Sequence, residues 1–155
     1  MSQLSAQSIR KLCMNAQPMI KPFVGEKVVR NGKSYGLSAA SYDIRIAHFL
    51  SLMPGETKLA HTVEDFDMPH NVVGYVVDKS TYARKFISAM NTLIDPGFRG
   101  NLTLEMANLS KEPIYIEQGD PICQIAFHWL DEPTELPYAG KYQGQPKAAI
   151  PARDE

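Results

Sequence analysis

The sequence is poor in cysteine and has no long apolar run. Its two cysteines, Cys13 and Cys123, stand far apart and form no C-x-x-C pair, which argues against a disulfide scaffold. No apolar stretch approaches the roughly 20 residues that a membrane-spanning helix needs. The N-terminal residues contain no apolar segment typical of a secretory signal. We therefore expect a protein of the reducing cytoplasm.

The sequence also lacks the metal-binding segments of zinc-dependent enzymes that act on nucleobases. Those enzymes need an H-x-E segment and a P-C-x-x-C segment, and neither occurs here. The histidines are scattered, without the i, i+4 spacing of a helical metal site: His48, His61, His70 and His128. If the protein acts on a base, we expect it to do so without zinc.

Neither sign of charge is in excess. The formal net charge is −1 over 155 residues, so no general attraction to nucleic acid or to an anionic membrane is expected. There is also no basic stripe interleaved with aromatic residues, which disfavours nucleic-acid binding. Any phosphate binding must come from a local cluster of basic groups. The length predicts one domain spanning residues 1–155.

Short strands separated by Pro and Gly turns dominate the predicted secondary structure. Alternating residues predict a strand at Ser41 to Ile46, and further strands are predicted at Val72 to Val77 and Ile122 to Trp129. A short helix is predicted near the N-terminus, capped by Ser5 or Ser8. Many short strands with little helix predict an all-β barrel or sandwich.

The segment 94–105, IDPGFRGNLTLE, combines a tight turn with a strand that carries one carboxylate. In an alternating strand, Leu102 and Leu104 share one face while Thr103 and Glu105 share the other. The glycines of the turn let a ligand come close. Glu105 is therefore a candidate general acid/base on a rigid element; the alternative is a solvent-facing Glu on an ordinary amphipathic strand.

A second cluster carries cations and hydroxyls suited to phosphate oxygens. It comprises Lys79, Ser80, Thr81 and Arg84, on a predicted helical turn that Ser80 or Thr81 caps. The alternative is a solvated surface loop, where such sequences also occur.

The composition changes again near residue 132, where prolines and glycines break any regular element. The segment 132–155 is nevertheless rich in hydrogen-bonding side chains, among them Tyr138, Lys141 and Gln145. It is either a frayed tail or a mobile flap that orders over a ligand.

Four segments match a known family in order and spacing: SYDIRI (41–46), PGETKLAHTVEDFDMPHNVVGYVVDKSTYAR (54–84), IDPGFRGNLTLEMAN (94–108) and PYAGKYQGQ (137–145). Together they resemble the dCTP deaminase branch of the dCTP deaminase/dUTPase superfamily. The resemblance implies a distorted β-barrel or jelly roll with a short N-terminal helix and a C-terminal flap. It also implies a homotrimer with active sites between subunits.

The resemblance implies a role for each matching residue. Glu105 is the expected catalytic residue, and Arg84 and Ser80 are expected to orient the reacting water. The expected contacts with a triphosphate, a sugar and a base come from a wider set: Lys79, Ser80, Thr81, Arg84, Asp95, Thr103, Gln124, Tyr138, Lys141 and Gln145. Magnesium is expected to accompany the triphosphate. The segment after Arg84 departs from the family pattern, which leaves the roles of Asn91 and Thr92 unassigned.

The expected reaction is the hydrolytic deamination of dCTP to dUTP and ammonia, which would supply dUTP or dUMP for thymidylate synthesis. One alternative is a dUTP diphosphatase, in which Asp95 orients water toward phosphorus. The C-terminal GKYQGQ is not the Gly-rich, Arg-containing motif of dUTPases, which favours the deaminase. A bifunctional enzyme that forms dUMP and a catalytically idle nucleotide-binding regulator are the remaining alternatives.

Overall fold

A computed structural model of the protein describes residues 2–90 and 92–154, so Asn91 lies outside the described residues. In this range the chain forms thirteen strands and two short helices, which confirms the mostly-β prediction. In chain order they are β1 Ser2–Gln3, α1 Ala6–Cys13, β2 Ile20–Lys21, β3 Lys27–Arg30, β4 Lys33–Leu37, β5 Tyr42–Arg45, β6 Leu50–Leu52, β7 Thr57–Asp67, β8 Val72–Asp78, α2 Ser80–Ala83, β9 Ile87–Ala89, β10 Leu93–Ile94, β11 Arg99–Asn108, β12 Ile114–Ile116 and β13 Pro121–Trp129.

The strands pair in three antiparallel sheets. The largest has the order β10-β8-β13-β5-β4-β3, with β1 paired to β13; the second has the order β2-β7-β11-β9; and β12 pairs with β6. Outside the named strands, isolated bridges join Ile46 to Thr62 and Gly100 to Gln145. Among the described residues, this pairing gives three separate sheets and no single closed ladder.

The alternation predicted for the central strand is present. On β11, Leu102, Leu104 and Met106 are buried in one core, whereas Thr103 and Glu105 are partly exposed on the opposite face. This follows from the two-residue period of a strand that has one face on the core. The fold therefore holds the Glu105 side chain at the surface of a rigid sheet.

Both helices are short and lie at the edge of the core. Helix α1 begins after Ser5 and buries Ile9 and Cys13. Helix α2 begins at Ser80 with Lys79 at the N-cap position and no side-chain capping bond. The prediction that Ser80 or Thr81 caps this helix is therefore wrong.

None of the helices in the part of the chain that the structure describes has the length and apolarity needed to span a membrane.

Candidate active site

A cavity of about 390 Å³ lies beside β10 and β11, under the C-terminal segment of the same chain. Five residues predicted from the sequence line it: Asp95, Thr103, Glu105, Tyr138 and Gln145. The volume lies within the range of small-molecule sites, roughly 300–1,000 Å³. The strand, the turn before it and the C-terminal segment thus converge on one space.

Glu105 is half-buried at this cavity and pairs in register with Leu59 on β7. Its backbone oxygen accepts a hydrogen bond of 2.8 Å from the amide of Met90, which ties the strand to the segment after β9. A smaller cavity of about 300 Å³ also borders Glu105. Burial raises the pKa of the Glu105 carboxyl above its ordinary value, because removal from water disfavours the charged form. Such a carboxyl is suited to exchanging protons.

Asp95 stands at the rim of the cavity, in the turn between β10 and β11. It is exposed, and its backbone oxygen accepts a hydrogen bond of 3.1 Å from the amide of Phe98. The turn is fixed from the other side by Gly97, whose amide donates to Met68 at 3.0 Å. The Asp95 carboxylate is therefore on a well-defined turn and open to a ligand.

The C-terminal segment packs closely on this turn and on the start of β11. Gly100 has a φ of +126°, and a Cβ built on it would lie 2.6 Å from the backbone nitrogen of Gln145. The Asn101 amide donates to the Gln145 oxygen at 3.3 Å. Glycine is therefore required here because the chain's own C-terminal segment approaches it.

Tyr138 anchors the beginning of this segment. Its amide donates to the oxygen of Pro96 at 2.8 Å, and its ring packs edge-on against Phe98 with centroids 5.7 Å apart. Its hydroxyl accepts a hydrogen bond of 3.1 Å from the amide of Tyr142. Lys141 lies outside the cavity lining, with its ammonium 5.6 Å from the centroid of the Tyr142 ring.

The α2 segment does not line this cavity. Ser80 and Arg84 are exposed and Thr81 is half-buried, but none of the three belongs to the cavity lining. Lys79 is buried, and its ammonium lies 2.8 Å from the Asp43 carboxylate. A single chain therefore does not bring the predicted phosphate cluster to Glu105.

Gln124 lies on β13 and contacts the end of β8, just before α2. Its side-chain nitrogen donates to the backbone oxygen of Asp78 at 3.1 Å, and its side-chain oxygen accepts from the Ser41 hydroxyl at 3.3 Å. It does not line the cavity that contains Glu105.

The cavity is also lined by residues for which no role was predicted. Thr92 is polar, and the others are apolar or aromatic, among them Leu59, Tyr142, Ile150 and Ala152. Leu59 could have been found from the alternation of β7, had its register with β11 been known. The last two residues carry no sequence signal, because small and aliphatic residues in a Pro-rich tail are common.

The family model for dCTP deaminase-like proteins matches residues 44–130. The chain is 34% identical to the dCTP deaminase of Campylobacter concisus, over 92% of this chain and 94% of that protein. It is 35% identical to the dCTP deaminase of Pelagibacter ubique, over 97% of this chain and 99% of that protein.

Among solved structures, the chain resembles the dUTPase of phage phi11 of S. aureus, described with a structural Mg(II) ion. The TM-score is 0.56 at 21% identity, and the match covers 72% of this chain and 88% of that one. At this identity the likeness concerns the fold, and it confirms the prediction of a dUTPase-like fold. The matches in sequence confirm the predicted family and the prediction of an enzyme. The chain belongs to the dCTP deaminase-like family.

Proposed function

We propose that the protein hydrolyses dCTP to dUTP and ammonia. The observation that carries the proposal is the half-buried Glu105, whose pKa is raised by burial, in a cavity of sufficient size for a pyrimidine nucleoside. A carboxyl whose pKa is raised in this way is suited to both accepting and returning a proton. The match to curated dCTP deaminases supports the choice of substrate.

The reaction needs one group that moves protons between water and the base. Water attacks C4 of the cytosine, forming a C–O bond, while Glu105 accepts a proton and delivers it to N3. Glu105 then takes the proton of the new hydroxyl and passes it to the amine. The C4–N bond breaks, and ammonia leaves with the keto product dUTP. The resemblance assigns the orientation of the water to Ser80 and Arg84.

Because Arg84 does not line the cavity that contains Glu105 in one chain, we place the complete site between subunits of a homotrimer. Large apolar side chains near the cavity support a covered surface: Leu59, Met90 and Leu93 are 38%, 55% and 52% exposed in the single chain. In this arrangement the α2 segment of one subunit meets the cavity of its neighbour. Light scattering tests the oligomeric state.

The nucleotide would bind as its magnesium complex, with Mg²⁺ held by the triphosphate. Among residues 2–90 and 92–154, no group of three or more His, Cys, Asp and Glu side chains could hold a metal ion. In this proposal the triphosphate oxygens are the ligands of the ion. Mg²⁺ would neutralise phosphate charge, while Arg84, Ser80 and Thr81 would bind the remaining phosphate oxygens. Lys79 joins them only if it leaves Asp43.

We further propose that the deamination proceeds without zinc, since the chain lacks the H-x-E and P-C-x-x-C segments of zinc deaminases. Activity in excess magnesium should survive a zinc-selective chelator. Loss of activity that added zinc restores would contradict this part of the proposal.

A second candidate function is diphosphate release, alone or after deamination, to form dUMP. The exposed Asp95 carboxylate at the cavity rim favours it, because that group could orient water toward a phosphorus atom. Incubation with dCTP or dUTP and magnesium, followed by chromatography, separates the candidates. Ammonia with dUTP supports the deaminase, whereas pyrophosphate with dUMP supports the diphosphatase. Ammonia, dUMP and pyrophosphate formed from dCTP indicate a bifunctional enzyme, and binding without products indicates a regulator.

A further inference from the structure

The hydroxyl of Thr103 holds the C-terminal segment at two points. The side-chain nitrogen of Gln145 donates a hydrogen bond to Thr103 Oγ1, and the backbone amide of Ile150 donates to the same oxygen at 3.0 Å. A hydroxyl oxygen has two lone pairs, so both are used by the protein's own chain. Only the hydroxyl hydrogen is left for a ligand.

Before Gln145, the segment is attached to the strand through its backbone. The Gly144 amide donates to the Arg99 oxygen at 2.9 Å, and the Gln145 oxygen accepts from Asn101 at 3.3 Å. These contacts do not involve Thr103 and would hold the segment up to Gln145 without it.

Beyond Gln145, attachment to the sheet depends on fewer contacts. Lys147 forms an exposed ion pair with Asp65 at 3.7 Å, which contributes little at a surface. The Arg153 amide donates to the Tyr142 hydroxyl at 3.1 Å, but Tyr142 belongs to the C-terminal segment itself. The bond from Ile150 to Thr103 therefore connects the last part of the chain to the strand that carries Glu105.

Ile150 and Ala152 line the same cavity as Glu105. We propose that Thr103 is a positioning residue that latches residues 145–150 over the cavity and so makes Ile150 and Ala152 a wall of the nucleotide site. The nucleotide part of this inference rests on the proposed function. The proposal adds Ile150 and Ala152 to the C-terminal residues expected to cover the nucleotide, of which Gln145 was the last. It also means that the Thr103 hydroxyl acts by holding the C-terminal segment in place.

We call the hydrogen bond from the Ile150 amide to Thr103 Oγ1 the latch. It is tested first without nucleotide, by hydrogen–deuterium exchange at the Ile150 amide. In Thr103→Val, which keeps the shape and removes the acceptor, we expect this amide to exchange about 5- to 10-fold faster, as for loss of one hydrogen bond. Thr103→Ser, which keeps the hydroxyl, should exchange like the unaltered protein. The Leu102 amide, which donates to Thr62 at 3.0 Å, should not change in either variant. Equal exchange at Ile150 in the Val variant overturns the latch.

The wall is tested by steady-state kinetics. For Thr103→Val we expect the KM for dCTP to rise about tenfold with a smaller change in kcat, and Thr103→Ser to restore the original KM. Ile150→Pro removes the amide donor without altering the strand and should raise KM similarly. Ile150→Ala keeps the backbone amide donor. We expect the amide of residue 150 in this variant to exchange as slowly as in the unaltered protein. Faster exchange with unchanged KM would overturn the wall. Absence of deamination in the unaltered protein would refute the proposed function, while the exchange result still decides the latch.

Discussion

The cavity beside Glu105 and the α2 segment carry complementary chemical groups, but they differ in how far a single chain surrounds those groups. At the cavity, a sheet, a turn and the C-terminal segment of one chain already enclose Glu105 and Thr103. In the α2 segment, Ser80 and Arg84 face solvent. One chain thus forms the cavity beside Glu105 by itself, whereas the α2 groups that we propose to bind phosphate are not part of that cavity.

The α2 segment contains the same contrast at a smaller scale. Lys79 is buried against Asp43 at 2.8 Å, and Arg84, five positions later, is exposed. A buried cation needs its partner for the protein to fold, while an exposed one is available for binding. We therefore expect changes at Lys79's partner to affect stability and changes at Arg84 to affect affinity.

The largest effect is expected from Glu105→Gln, which removes the carboxyl that we propose transfers protons at the cavity. Deamination should slow by about 10²- to 10⁴-fold, the usual contribution of general acid–base catalysis. Nucleotide affinity should change little, because the amide preserves the shape. Ammonia release and equilibrium binding measure the two quantities. Glu132→Gln, in an exposed loop, is the matched control, and normal turnover in Glu105→Gln would contradict the mechanism.

Asp43→Asn should give the next largest effect, on stability. It leaves the buried Lys79 ammonium without its counter-charge, which costs about 3 kcal/mol or more in unfolding free energy. Asp67→Asn is the control, because its pair with Arg99 is exposed on both sides and should contribute at most about 1 kcal/mol. Denaturation in urea compares the two. Similar losses in both variants would show that Lys79 is not anchored as the structure describes.

The sequence was most informative where a local pattern governs the structure. The alternation of residues 102–106 predicted which side chains face the core, because a strand with one buried face must repeat every two residues. The position of Glu105 on the open face follows directly. The identity of its neighbours across the sheet depends on strand register, which no local pattern specifies.

The contacts that the sequence did not predict are long-range. Asp43 and Lys79 are 36 residues apart, and the alternation of the SYDIRI strand alone did not indicate that the Asp43 carboxylate is buried. The approach of Gln145 to Gly100 is made by backbone atoms, which have the same chemistry at every residue. The glycine indicated a close approach, and only the structure identifies the segment that approaches.

Arg84→Ala should weaken binding of the triphosphate without altering the fold. Loss of charge-assisted hydrogen bonds should raise the KM for dCTP by about 10- to 100-fold. The unfolding free energy should stay within about 0.5 kcal/mol, as for other surface changes. Lys85→Ala, at the adjacent exposed position, is the control. An unchanged KM would remove Arg84 from the site.

Mixed oligomers of two variants test whether the cavity and the α2 segment act together across subunits. If Glu105 and Arg84 of each site come from different subunits, trimers refolded from equal amounts of Glu105→Gln and Arg84→Ala chains are more active than either variant alone, at dCTP concentrations well below the raised KM of Arg84→Ala. Random assembly leaves about one quarter of the sites with both groups intact. If the two groups act within one chain, no mixture restores an intact site.

The smallest expected effect is a dependence of stability and activity on the protonation of Glu105. An unfolded glutamate has a pKa of about 4.3, and burial raises the pKa of Glu105 in the folded protein. At pH values between these two pKa values, the folded state binds more protons than the unfolded state. The stability that this difference contributes is fully present below the unfolded pKa and is lost as pH rises through the folded pKa. Activity should rise over the same range, because the attacking water needs an ionised acceptor.

Thermal unfolding and pH–rate profiles of the protein and of Glu105→Gln test both trends, and the variant should lose this part of the pH dependence of stability. If both proteins respond identically to pH, the Glu105 carboxyl is as well solvated as an ordinary surface glutamate. The cavity would then differ little from the exposed α2 segment in how it surrounds its charged group.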